Sequence, residues 1–214
     1  MKWIRVFILL LWPGAFALGQ APKTSDTATV DHPRVPDTAH AGRLHAPDTA
    51  GIRIRPTSAG ASSWSTLQKD KVSLRYPSTW TPNTEGSGMV DFFVLAPPDS
   101  SDVRFRENVN LVIQDLGADS AMSLDELVKA SLDALQSAFA GFELVSSHQL
   151  INARGHYQRF IYKSLQNGYP LEFIQEFQII RKKAYILTFT SSQGKFDDHQ
   201  ELGEKILQSF AIER

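Results

Sequence analysis

The side chains able to do chemistry are few, and most are scattered. Asp99, Asp102 and Glu107 lie in one polar stretch, and hard cations such as calcium take several oxygen ligands from adjacent turns. These three carboxylates are therefore the metal candidates of the chain. Ser192-Gln-Gly-Lys195 has the S-x-x-K spacing of penicillin-recognising enzymes. There the pair works because a helical turn stacks the two side chains, whereas Gly194 and the missing companion motifs mark this stretch as a turn. Asp197-Asp198-His199 resembles an acid/base cluster, but carboxylates in a first helical turn are favoured by the helix dipole alone. His148 and His156 fall on opposite arms of one expected hairpin without being directly opposed, so no joint zinc site follows. The sequence holds no G-x-S-x-G, no Gly-rich phosphate loop, no H-E-x-x-H and no EF-hand loop. The reading assigns no catalytic residue and no cofactor.

The elements that would position these groups centre on residues 171–190, LEFIQEFQIIRKKAYILTFT. Leu171, Phe173, Phe177 and Ile179 recur every second residue, with Glu172, Glu176 and Gln178 between them, the period of a strand with one buried face. Gln175 interrupts the apolar row and Ile174 the polar one. Arg181, Lys182 and Lys183 read as a charged turn, after which Tyr185, Leu187 and Phe189 alternate with Ala184, Ile186, Thr188 and Thr190. The pair predicts the central antiparallel hairpin. In this register Ile174, Ile180 and Ile186 lie opposite the row of Phe173 and Phe189, so a second helix or the loop around Trp80 must cover them. Left exposed, they would form a partner surface with the basic tip.

Around this hairpin the pattern predicts strands at 71–76, ending at Pro77, at 89–96, closed by Pro97 and Pro98, and at 108–116. Trp80, in the loop between the first two, reads as a plug over one end of the sheet. Ser123-Leu-Asp-Glu126 is a capping box that opens a helix with Leu124, Leu127, Val128, Leu132, Leu135 and Phe139 on one stripe, and Gly141 is placed for a left-handed C-cap. Strands at 142–151 and 157–166 flank the turn ending in Gly155, and Asn167-Gly168 is the strongest hairpin signal. Asp197, with Gln200 in the box position, caps a last helix through Leu202, Ile206, Leu207 and Phe210, where Gly203 either costs stability or permits close approach to the sheet. The order is βββ-α-ββββ-α.

Residues 1–19 have the layout of a secretory signal peptide: Lys2 and Arg5, an apolar run from Val6 to Trp12, then Ala17, Leu18 and Gly19. The run is too short, and too broken by Pro13 and Gly14, to span a bilayer well. Residues 20–63 are rich in Ala, Pro, Thr, Ser and Asp without apolar period and read as a disordered leader. Pro-Asp-Thr-Ala recurs there at 36–39 and 47–50, and His32, His40 and His45 lie on a segment that does not preorganise metal ligands. The domain then covers 64–214. A formal net charge of −1 gives no broad positive field for nucleic acid. The absence of cysteine excludes disulfides, thiolate chemistry, Cys-ligated zinc and lipidation at a lipobox.

In chain order, YPSTW, NVNLVIQ, SLDEL, INARGHYQRFIY, KKAYILTFTS and KILQSFAI resemble the single domain shared by the PsbP and DcrB proteins, in the Mog1p/PsbP-like superfamily. The resemblance implies an α+β fold, an antiparallel sheet flanked by helices in an α/β/α sandwich, and a non-catalytic role. Relatives of this kind are extrinsic subunits of the photosynthetic oxygen-evolving complex, bacterial envelope proteins and a Ran-binding protein. The expectation is therefore an exported, periplasmic or extracellular binding or assembly module, not a lipoprotein, whose partner is another envelope or secreted protein. Trp80, Ile174, Ile180, Arg181, Lys182 and Lys183 are its candidate partner surface. The rival readings are an envelope hydrolase with a cleft near Trp80 and a weak cation or small-ligand binder.

Overall fold

The structure is a computed structural model that describes residues 63–99, 105–117 and 121–213. The expected signal peptide, the leader through residue 62 and Asp102 lie outside the described residues. The elements run β1 (Trp64–Lys69), β2 (Val72–Pro77), β3 (Thr81–Asn83), β4 (Val90–Leu95), β5 (Asn108–Asp115), α1 (Leu124–Ala138), β6 (Ala140–Asn152), β7 (Gly155–Gln166), β8 (Tyr169–Ile180), β9 (Lys183–Ser192), a 3₁₀ turn (Gln193–Lys195), α2 (Phe196–Gln208) and β10 (Ala211–Ile212). The class is α+β with antiparallel sheets and two helices, as expected.

Five strands precede α1 where three were expected, and they divide between two sheets. The larger has the order β3-β4-β5-β9-β8-β7-β6, which puts β9 at its centre, and the smaller is β1-β2-β10. The expected first strand, β2, thus belongs to the small sheet. One face of the large sheet packs Phe160, Tyr162, Phe173 and Phe177 against Leu127, Leu135 and Phe139 of the α1 region. The opposite face packs Val109, Leu111, Ile174, Leu187 and Phe189 against Ile206, Leu207 and Phe210 of the α2 region and against Leu67, Leu74 and Trp80.

The turn between β8 and β9 holds two residues, Arg181 (φ 50°) and Lys182 (φ 61°), because Lys183 already pairs with Ile180. Positive φ at both centres is the type I′ geometry, whose twist suits a tight hairpin. A three-residue turn would have left Phe173 and Phe189 on one face. Shortening it by one residue inverts the faces of β9 relative to β8, so Phe189 pairs with Ile174, and Ile186 with Phe177. Ile174 is 0% exposed, which removes it from the expected partner surface, and Trp80, 8% exposed, shows only one edge, at a cavity beyond the end of β4. Ile180 is half-buried against the same core, whereas Arg181, Lys182 and Lys183 are exposed.

The row of Glu172, Glu176 and Gln178 is also buried, so the strand does not have the single buried face its alternation implied. Gly141 does not cap α1: Phe139 closes that helix in an extended conformation, and Gly141 (φ 64°) lies in β6 at the register shift between Ala140 and Glu143. A positive φ serves a β-bulge as well as it serves a cap. Helix α2 starts at Phe196, directly after the 3₁₀ turn, and so lacks the Asp197 cap; Asp197 and Asp198 sit inside its first turn. The capping box of α1 forms as expected, with the Glu126 amide donating to Ser123 Oγ at 3.2 Å and the Ser123 amide to Glu126 Oε2 at 2.8 Å.

Gly203 decides how closely α2 approaches the sheet. A Cβ at this position would stand 2.5 Å from Cδ1 of Phe189, a side chain with 0% exposure and no room to retreat. Gly203→Ala gains about 1 kcal/mol of helix propensity but overpacks the core, which costs about 1–3 kcal/mol. The variant is expected to lose net stability in urea titration, and a gain would mean that α2 shifts freely. Burial pushes the Glu172 carboxyl above its ordinary value of 4.5, Lys163 opposing the shift in part. The folded chain then binds this proton more tightly than the unfolded one, so stability falls as pH rises through the window above that value. Glu172→Gln should therefore melt higher than the parent at neutral pH, with the gap closing below about pH 4.

Candidate functional site

Beyond the end of β4, Pro97 and Pro98 offer no amide to a ladder, and the chain leaves the sheet. The last link is the Ala96 amide donating to the Glu107 carbonyl at 2.8 Å, with Arg106 Nε donating to the Ala96 carbonyl at 2.6 Å. The diverging strands leave a cavity of about 350 Å³, walled by Trp80, Ala96, Pro97, Pro98, Asp99, Glu107, His199 and Leu202. Trp80 is held there by a tight turn in which its amide donates to the Pro77 carbonyl at 2.8 Å. Helix α2 supplies His199 and Leu202.

The electrostatics of the cavity are uneven. Asp99 is ion-paired with Lys195, which the 3₁₀ turn brings across from the end of β9. Glu107, with 9% of its side chain exposed, has His199 Nδ1 at 3.5 Å, too poorly aligned for a hydrogen bond, and that nitrogen is itself buried without a partner. Two of the expected metal candidates, Asp99 and Glu107, thus line one cavity. With Lys195 on Asp99, the described residues contain no cluster of three or more His, Asp or Glu side chains that could hold a metal ion. The cleft expected near Trp80 is present, and the described part of its wall carries no hydroxyl or thiol.

Other candidates are dispersed. Lys195 of the S-x-x-K stretch reaches Asp99, while Ser192 pairs with Leu171 at the end of β9. His148 stands opposite Arg159 and His156 opposite Ile151, so the two imidazoles belong to different rungs. The meeting of His199 with Glu107 was not visible in the sequence. The residues are distant in the chain, neither belongs to a motif, and only the packing of α2 beside β5 brings them together.

A second gathering of charges lies on the α2 face. Glu176 accepts from Arg159 at 2.8 Å and from Arg154 at 3.0 Å, and Arg159 also approaches Glu204 at 3.9 Å. These groups neutralise one another, with Arg154 Nε left without a hydrogen-bond partner among the described residues. Among the described residues no helix is long and apolar enough to cross a membrane.

No protein-family description matches the chain, and no curated protein matches it in sequence. Solved structures do. The cyanobacterial PsbP protein CyanoP from Synechocystis sp. PCC 6803 aligns with a TM-score of 0.53 at 15% identity, over 76% of this chain and 99% of its own. LpqN, involved in cell envelope biogenesis of Mycobacterium tuberculosis, aligns with a TM-score of 0.50 at 9% identity, over 71% and 91%. The Ran-binding protein Mog1p of Saccharomyces cerevisiae aligns with a TM-score of 0.49 at 6% identity, over 71% and 96%. The fold is the PsbP-like fold that the sequence resemblance implied. At such identities the likeness concerns the fold alone.

The ion pair at Asp99 bears on the metal reading in a measurable way. A cation ligated by Asp99 and Glu107 in the native state would raise the melting midpoint by mass action, and it would first have to displace Lys195. Millimolar calcium or manganese is expected to leave the midpoint of the full chain unchanged. A concentration-dependent rise would restore the metal site.

Proposed function

We propose that this protein is an exported, non-catalytic binding or assembly module of the cell envelope that recognises another protein, with the basic hairpin tip as a contact. The supporting observation is the contrast between two turns. The β7–β8 hairpin places Asn167 (φ 52°) and Gly168 (φ 78°) at its two centres, the residues that accept positive φ most readily. The β8–β9 hairpin needs the same geometry but carries Arg181 and Lys182, at a cost of roughly 1 kcal/mol per residue relative to glycine. An exposed turn that bears this cost has a use for its side chains. The tip is also fixed in space, because the Leu116 amide donates to the Lys182 carbonyl at 2.9 Å.

Export rests on the signal-like layout of residues 1–19. The envelope assignment draws on that layout and on the shared fold with LpqN, and residues 20–63 would then act as a spacer or second contact. A hydrolase working in the cleft beside Trp80 has weaker support, since the described wall offers two carboxylates and an imidazole but no nucleophilic hydroxyl.

The test is affinity capture from the envelope of the source cell, comparing the parent with Arg181→Glu/Lys182→Glu/Lys183→Glu. The charge reversal is expected to remove at least one captured protein while leaving the melting midpoint within about a degree of the parent, as surface substitutions generally do. Identical captured sets would remove the tip from the proposal. Arg181→Asn/Lys182→Gly serves as the conformational control. It should lose the same partner while gaining roughly 0.5–1 kcal/mol in stability.

A further inference from the structure

The geometry points to the cavity beside Trp80 as a pocket for a basic side chain, lysine or arginine, presented by the partner protein. This deepens the binding-module reading and rests on it. A carboxylate removed from water is costly unless donors satisfy it. Glu107 is more than nine-tenths buried, and among the described residues its carboxyl has only the His199 nitrogen, at 3.5 Å, within ion-pair reach. Adjacent Arg106 directs Nε to the Ala96 carbonyl. The cavity is therefore walled by a largely buried carboxylate to which no described side chain donates a hydrogen bond.

The other walls restrict what can supply that donor. Trp80, Pro97, Pro98 and Leu202 offer an indole and apolar surface, suited to the methylene stem of a long cationic side chain and to a cation near the aromatic ring. Asp99, on the same wall, already binds the ammonium of Lys195, so one alkylammonium group is accommodated here by this chain itself. An anionic ligand would face two carboxylates. Among the described residues a hard metal ion would find one open carboxylate and one imidazole where it needs about six oxygens. The remaining class is an ammonium or guanidinium with hydrogen-bond donors, and a volume of about 350 Å³ admits such a side chain with room for bridging water.

The experiment follows the Trp80 indole N–H resonance of the full chain while three probes are added: Nα-acetyl-lysine N-methylamide, the uncharged norleucine analogue, and free cadaverine. The lysine probe is expected to move the resonance saturably, with the norleucine analogue at least roughly tenfold weaker, as loss of a charge-assisted hydrogen bond implies. Glu107→Gln should weaken the lysine probe by a similar factor while the rest of the spectrum is unchanged. An equal response to norleucine, or no movement of Trp80 with the lysine probe, would overturn the inference on the parent chain, whatever the variant does. Tighter binding of cadaverine than of the blocked lysine would make this a free-amine site and overturn the partner assignment. If the titration fails while charge reversal at the hairpin tip still removes a captured protein, the pocket falls and the binding-module reading stands.

Discussion

The carboxylate of Glu176 is 3% exposed and lies between two guanidinium groups on the α2 face of the large sheet. Arg159, its cross-strand neighbour on β7, donates through Nε at 3.2 Å and through a terminal nitrogen at 2.8 Å. Arg154 arrives from the β6–β7 turn, and Gln178 secures that turn by donating to the Arg154 carbonyl at 2.7 Å. The Arg154 guanidinium also lies over the rings of Tyr157 and Phe210, at 5.2 and 5.6 Å. One buried charge thereby ties a hairpin turn, two strands and the chain just after α2 into one arrangement. Such a cluster need not outperform apolar packing, but removing one partner leaves a buried ion unpaired, at about 3–5 kcal/mol. The arrangement is needed because the sheet is covered on both faces, so the polar row of β8 has no water to point into.

That double covering also explains where the sequence was legible. Features decided by neighbours in the chain appeared at their expected places: the Ser123 capping box, the Asn167-Gly168 turn, the Gly155 turn and the pairing of β8 with β9 at the sheet centre. Features decided by what lies above the sheet did not. Alternating Glu172, Glu176 and Gln178 look the same whether they face solvent or a guanidinium, and the arginines that settle the matter for Glu176 stand on another strand and in a turn. The face of Phe189 depended on whether the turn holds two residues or three, and the run Arg181-Lys182-Lys183 has no Gly or Asn to mark it. Gly141 carried the right backbone signal, a positive φ, for a different purpose. Strand β1, WSTLQK, has no apolar alternation of its own and is recognisable only through its pairing with β2.

Of the cavity, the sequence showed the polar stretch holding Asp99 and Glu107 and the bulky Trp80, but not the grouping. His199 read as part of a helix start and Lys195 as part of a turn, both correct locally. What the sequence lacked was the placement of α2 across the end of β5. In the paired register, Asn108 opposes Thr190 at the cavity end of the β5–β9 ladder and Asp115 opposes Lys183 at the hairpin-tip end. The pocket and the basic tip therefore stand at opposite ends of the same rigid ladder, each on backbone held by the sheet, which is the condition for placing contacts accurately.

The residue that sets the cavity wall is not itself in the wall. Gly203 lets α2 approach the sheet so closely that a single added carbon would strike the ring of Phe189. His199 lies one helical turn earlier on the same side of α2, so the depth at which α2 seats governs how near its imidazole comes to Glu107. A helix held farther out would carry His199 and Leu202 away from Trp80 and Pro97 and widen the cavity. The shape of the pocket thus depends on a packing contact between a glycine and a core phenylalanine, and the wall of the cavity is inseparable from the way the core closes.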